Sequence, residues 1–187
     1  DIHGSYDAFW LTEAAGPVLD LLKRLHLKGR ENVFEAGCGT GFATVRIAEK
    51  LNKNARITAA DLSSGMLAEA RERALRKGVH NIEFIEGDAL EELSARGPFD
   101  LIFSSWVLGY IPLAPFIRIA ARSLSPEGRL AFVAHKENSP RAPLEIFGEL
   151  IAETPSALLK QVHFDFPPDM QRVKETIVSA GLEVKRL

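Results

Sequence analysis

The stretch Glu35-Ala36-Gly37-Cys38-Gly39-Thr40-Gly41 constrains this chain more than any other. It follows a short apolar run, Asn32-Val33-Phe34-Glu35, and precedes Ala43, Ile47, Ala48 and Leu51, which share one helix face. A buried strand that turns through glycines straight into a helix opens a crossover unit, in which helices link parallel strands. The glycines also let a ligand approach the backbone and the donor groups of the helix N-terminus.

The unit repeats along the chain. Arg56 to Ala60 reads as a strand closed by Asp61, and Leu67, Ala70, Ala74 and Leu75 trace a helix ended by Gly78. Asn81 to Ile85 is a third strand, closed by Gly87-Asp88 and followed by a short helix through Leu90 and Leu93; Asp100 to Ser104 is a fourth. Leu113, Phe116, Ile117, Ala120 and Leu124 form a helical stripe, Pro126-Glu127-Gly128 a turn, and Arg129 to Ala134 a fifth strand. This alternation predicts an α/β fold: a doubly wound, mostly parallel, Rossmann-like sheet with helices on both faces. In such sheets ligands bind beyond the carboxyl ends of the strands. Glu35, Asp61, Asp88 and Ser104 all fall there.

The chain of 187 residues reads as one domain, 1–187. Within it we expect an N-terminal helical lid at 1–30, with an amphipathic helix over 12 to 27. A donor-binding core spans 33–134, and an inserted cap with a helix around Leu144, Phe147, Leu150 and Ile151 spans 139–168. A last helix and a strand, Leu182 to Arg186, occupy 169–187.

The glycine spacing narrows the ligand. In the dinucleotide fingerprint Gly-x-Gly-x-x-Gly, a first pair at Gly37 and Gly39 puts the third glycine at Phe42; it falls at Gly41. No Gly-Lys-Ser/Thr follows, so a phosphate loop of the Walker type also fails. The formal charge of −2 and the scattered lysines and arginines argue against nucleic acid as a partner. No apolar run reaches the roughly 20 residues of a membrane span. The single cysteine, Cys38, excludes an internal disulfide and a multi-cysteine zinc site, and a cytoplasmic location is the default expectation. No secretory leader is read at the start of the chain, and its opening on Asp1 suggests trimming or processing.

Val33 to Gly41 resembles motif I of the class I S-adenosylmethionine-dependent methyltransferases, (D/E)-x-G-x-G-x-G. The resemblance covers residues 33 to 134 and is closest to the small-molecule group that includes ubiquinone/menaquinone-biosynthesis and malonyl-carrier-protein enzymes. It implies that the loop holds the methionine half of S-adenosylmethionine, with S-adenosylhomocysteine as product. Glu35 would then engage the ammonium group, while the backbone of Ala36, Gly37, Cys38 and Gly39, with Gly41 closing the motif, passes close to the ligand. Asp61 would accept from both ribose hydroxyls, Leu62 and Met66 pack on the adenine, and Asp88, with Ala89 beside it, accept from the exocyclic amine. Residues after the fourth strand, from Ser104 on, would line donor and acceptor, with Trp106 and Tyr110 shielding the sulfonium. Tyr6 and Trp10 resemble the segment that closes over the donor. Family members finish with an antiparallel seventh strand beside the fifth, and this chain reaches only what counts as the sixth.

His135, just past the fifth strand, is the candidate base for an acceptor that arrives protonated; His163 and Tyr6 are further candidates. Asp100 reads as structural. Ser104-Ser105-Trp106-Val107 lacks the Asn/Asp-Pro-Pro-Tyr/Phe motif of amino-directed DNA and protein-glutamine methylases, and it lacks the acid with which catechol-type enzymes hold magnesium, so no metal is expected. The leading expectation is a methyltransferase acting on a small-molecule or carrier-bound acceptor, as a monomer or homodimer. The alternatives are a non-catalytic donor-binding subunit and a nucleotide-binding oxidoreductase.

Overall fold

The computed structural model describes residues 3–136, 166–167 and 169–186, with side chains from Ala14 onward. Its elements are α1 His3–Arg24, β1 Asn32–Ala36, α2 Phe42–Ala48, β2 Arg56–Asp61, α3 Ser64–Arg76, β3 Ile82–Glu86, α4 Ala89–Ala95, β4 Phe99–Ser105, α5 Leu113–Ser123, β5 Leu124–Val133 and α6 Met170–Ser179. The chain divides into two compact units. One comprises the described residues up to Ser105 together with Arg118–Val133, and the other Trp106–Ile117 with the described residues after Val133. The cap expected at 139–168 lies outside the described residues except for Phe166 and Pro167.

The first unit holds the sheet, in the order β3-β2-β1-β4-β5 with every pair parallel. Because β2 and β3 extend it to one side of β1 and β4 and β5 to the other, right-handed crossovers send their helices to opposite faces. Accordingly α1 packs on α2 and α3, whereas α4 packs on β1 and β2. Strands covered on both faces need apolar residues at consecutive positions, not alternate ones. Val33-Phe34 in β1 and Leu101-Ile102-Phe103 in β4 supply them, all fully buried. The direction of winding reverses between β1 and β4, where Ala36 pairs with Ser104. That is the switch point, and Asp100 fixes its geometry from the far end by accepting from the Asn32 N–H and the Ser125 hydroxyl, each at 2.9 Å.

Three differences from the sequence reading have local causes. The expected turn Pro126-Glu127-Gly128 is an irregularity inside β5: pairing jumps from Phe99↔Leu124 to Leu101↔Arg129, so the proline sits where no ladder bond is required. Helix α1 starts at His3 rather than near residue 12 and runs through Pro17, so Tyr6 and Trp10 lie in its early turns, their side chains outside the described ones. The strand expected at Leu182 to Arg186 does not form. A strand exists only by exchanging backbone bonds with a neighbour, and the five-stranded sheet does not include this segment.

The β5 irregularity depends on Gly128. A Cβ there would lie 2.7 Å from the Phe99 carbonyl oxygen and 3.0 Å from the Ser125 nitrogen, both backbone atoms that cannot rotate away. Gly128→Ala is therefore expected to cost about 1–3 kcal/mol in urea unfolding, as overpacking does elsewhere. Ala131, buried and regularly paired on the same strand, is the control position.

Candidate functional site

The glycine loop is built by β2 as much as by its own residues. Gly37 and Cys38 both donate their N–H to the Ala60 carbonyl, at 2.9 and 3.1 Å, Gly39 donates to Asp61 Oδ2 at 2.8 Å, and Gly41 donates to the Cys38 carbonyl at 2.9 Å. Each of these donors is taken up within the protein. A phosphate cradle needs such donors aimed at the ligand, and these four N–H groups point elsewhere.

Its charged neighbours are carboxylates. Glu35, the penultimate residue of β1, is 1% exposed, and neither side-chain oxygen has a hydrogen-bond partner. Burial pushes its pKa up to about 8; the nearby Thr44 hydroxyl tempers the rise and the Asp61 charge adds to it. Thr44 itself completes no standard hydrogen bond. A buried carboxyl with neither oxygen paired is a site that a cationic donor group would complete. Asp61 ends β2, its second oxygen accepting from the Ser63 N–H at 2.9 Å. Each of its oxygens thus holds one backbone donor and retains a lone pair. The N-cap of α3 is not Asp61 but Ser63, which accepts from the Met66 N–H.

Asp88 caps α4, with Oδ1 accepting from Leu90 and Glu91 at 2.8 and 3.1 Å, and its other oxygen remains open to a further donor. Ala89 beside it is buried. Leu62 is 74% exposed, a large apolar side chain next to Asp61 with little cover, whereas Met66 is half-buried. The Cys38 side chain turns into the core against Ala59 and Leu67, and burial pushes its thiol up, so it packs as a small apolar group. Ser104 is fully buried and donates its hydroxyl to the Ala36 carbonyl at 3.1 Å, bracing the first residue of the loop across the β1–β4 pair. Gly39 and Gly41 differ in what surrounds them. Space is open where a Cβ on Gly39 would stand, whereas one on Gly41 would meet Ala70 of α3 at 2.9 Å. Gly39 is the glycine that leaves room beside the loop; Gly41 is the one that lets two helices close.

The second unit brings together Trp106 and His135, with ring centroids 4.5 Å apart. Trp106 follows β4 directly and takes a φ of 62°, a left-handed conformation that costs a bulky residue about 1–3 kcal/mol and recurs at functional sites. His135 Nδ1 is buried without a hydrogen-bond partner, and burial pulls the imidazole pKa below its ordinary 6.5. Phe166 meets the same ring edge-on, with centroids 5.9 Å apart. In the sequence this residue stands in the stretch His163-Phe164-Asp165-Phe166 of the expected cap, with no role assigned to it. Tyr110 is 62% exposed, and His163 lies outside the described residues.

The sequence profile of a methyltransferase-domain family matches residues 27–177. A demethylmenaquinone methyltransferase of Listeria monocytogenes (serotype 4a, strain HCC23) is 26% identical, over 89% of this chain and 76% of the relative. A trans-aconitate 2-methyltransferase of Methylobacterium nodulans is 37% identical over 64% of this chain and 44% of its own length. Among solved structures, phospholethanolamine N-methyltransferase 2 of Haemonchus contortus, in complex with phosphomonomethylethanolamine and S-adenosylhomocysteine, superposes with a TM-score of 0.71 at 21% identity, covering 96% of this chain and 41% of that one. The unpaired Glu35 carboxyl and the strand-end acids suit the sulfonium donor, and the chain belongs to the methyltransferase-domain family, in its class I, S-adenosylmethionine-dependent form.

Proposed function

We propose that this protein transfers a methyl group from S-adenosylmethionine to a small-molecule acceptor whose nucleophilic atom arrives carrying a proton. The observation that supports it most is the buried, unpaired Glu35 carboxyl behind a loop in which the N–H groups of Gly37, Cys38, Gly39 and Gly41 are taken up. A phosphate-rich dinucleotide would meet carboxylates there, with the N–H groups of Gly37, Cys38, Gly39 and Gly41 already engaged. A ligand with an ammonium group would meet its counter-charge.

When bound, S-adenosylmethionine supplies a methyl group on a positively charged sulfur and leaves as S-adenosylhomocysteine. The residues have the following roles in this reading. Glu35 takes the ammonium group, Asp61 accepts from the ribose hydroxyls with its remaining lone pairs, and Asp88 accepts from the adenine amine with its open oxygen. Leu62 gains cover from the adenine face. Methyl transfer to an activated carbon asks mainly for alignment and exclusion of water. A base is required only where the nucleophile holds a proton, and His135 is the candidate. Its depressed pKa leaves the imidazole neutral at pH 7, the form that accepts a proton. A carboxylate acceptor, which arrives deprotonated, would have no use for it.

Calorimetric titration with S-adenosylhomocysteine, beside NADH, tests the donor half. The wild-type protein is expected to bind the first at about micromolar Kd and not the second, with Asp61→Ala weakening binding about 10- to 100-fold for the lost charged hydrogen bonds. Asp61→Asn, which can still hold one backbone donor, should lose less. Binding of NADH in competition, or no binding of S-adenosylhomocysteine by folded protein, would overturn the reading.

A further inference from the structure

Trp106, Gly109, His135 and Phe166 form one contact set within the second unit. The chain turns tightly after Trp106: Tyr110 and Ile111 donate their N–H to the Val107 carbonyl at 3.0 and 3.2 Å, and Gly109 donates to Ile111 at 3.2 Å. In that turn Gly109 has a φ of 135°, and a Cβ on it would stand 2.1 Å from Phe166 Cε1 and 2.6 Å from Cδ1. The phenyl ring therefore occupies the volume that any side chain at 109 would need. From that seat it reaches the imidazole edge-on, at 73° between planes, while the indole lies against the same imidazole at 34°.

We infer that Phe166 is a positioning residue for His135, holding the imidazole against Trp106 with Nδ1 buried, and that residue 109 is glycine because the phenyl ring needs its space. The inference rests on the reading of His135 as the group that receives the acceptor's proton. A lone imidazole on a loop rotates freely about its side-chain torsions and is solvated, so it loses both orientation and its neutral bias. Two aromatic contacts restrict the ring to one pose and exclude water from one nitrogen. Burial is what lowers the imidazole pKa. The Lys136 side chain that follows is exposed. The acceptor group that fits is correspondingly uncharged and able to donate a hydrogen bond to nitrogen, such as a hydroxyl.

The test reads His135 directly. Ring-proton NMR of the five histidines, with His135 assigned by His135→Gln, gives its titration midpoint in wild type, Phe166→Leu and Gly109→Ala. Wild-type His135 is expected to titrate below 6.5, and both variants to move its midpoint back up toward that value as water reaches the ring. Both should bind S-adenosylhomocysteine within about twofold of wild type, since the donor carboxylates are untouched. An unchanged midpoint in the two folded variants would overturn the positioning role. Should wild type itself fail to bind S-adenosylhomocysteine, the donor reading falls while the His135 titration still decides this one. With an acceptor in hand, the acidic limb of the kcat profile should shift with the midpoint and KM should change little.

Discussion

Raising the pH from 5 to 8.5 is expected to remove about 4 kcal/mol of stability from the ligand-free protein through one residue, Glu35, at about 1.4 kcal/mol per pH unit across the window in which it should ionise. Burial lifts its folded-state pKa from 4.5 to about 8. A carboxyl with a raised native pKa contributes fully below the unfolded value, because both states are then protonated. Between the two values the unfolded chain releases the proton and the native one does not, so stability falls as pH rises, and it levels off above about 8. This is opposite in sign to the usual carboxylate, which strengthens the native state as pH rises. Urea unfolding of wild type and Glu35→Gln at both pH values isolates the effect, since glutamine keeps the shape and never ionises. The two proteins should be close at pH 5, and the variant should be the more stable at pH 8.5. Parallel profiles would show that Glu35 is not held protonated.

The donor's ammonium group changes this balance. Paired with a cation, the Glu35 carboxylate no longer bears the cost of an isolated buried charge, so binding near pH 7 should release close to one proton. Calorimetry of S-adenosylhomocysteine in buffers of different ionisation enthalpy measures that number. Affinity should rise by up to about tenfold per pH unit below 8 and flatten above it. Glu35→Gln should bind weakly with no proton release.

How much of this was legible beforehand depends on how far apart the interacting residues are in the chain. The strands were readable because Val33-Phe34 and Leu101-Ile102-Phe103 are unbroken apolar runs, and a strand covered on both faces admits little else. Asp61 and Asp88 were readable as strand-end acids for the same local reason. The fate of the Gly37, Cys38 and Gly39 N–H groups was not, because their acceptors, Ala60 and Asp61, sit more than twenty residues away. Nor was the Gly109–Phe166 contact, made across 57 positions with nothing in either local pattern to announce it. Pro126-Glu127-Gly128 misled because turn residues and bulge residues are the same residues. Only pairing with β4 distinguishes the two, and pairing is a property of the sheet.

Gly41 shows the same limit in the motif itself, and its substitution is expected to have the second largest effect. As the last glycine of the loop it reads as a point of ligand approach, yet the structure gives it a φ of 76° at the N-cap of α2 and places Ala70 where a side chain would go. Gly41→Ala would combine two costs. The left-handed backbone disfavours an L side chain by about 1–2 kcal/mol, and the 2.9 Å approach to Ala70 Cβ adds about 1–3 kcal/mol of overpacking. The Ala70 Cα lies only 3.1 Å away, so rotating a side chain cannot relieve the clash; α3 as a whole must move. Because Arg73 of α3 donates to the Thr40 carbonyl at 2.8 Å, a displaced α3 also pulls on the loop. Gly39→Ala has a comparable backbone penalty at φ 53° but open space around it, so its loss should stop at the first cost. In urea unfolding Gly41→Ala should therefore lose about 2–5 kcal/mol against about 1–2 for Gly39→Ala. Binding of S-adenosylhomocysteine should rank them the other way once both are folded, since the side chain on Gly39 enters the space left beside the loop. Equal losses of stability in the two variants would show that the packing of α2 on α3 yields freely, and that Gly41 is required for its backbone conformation alone.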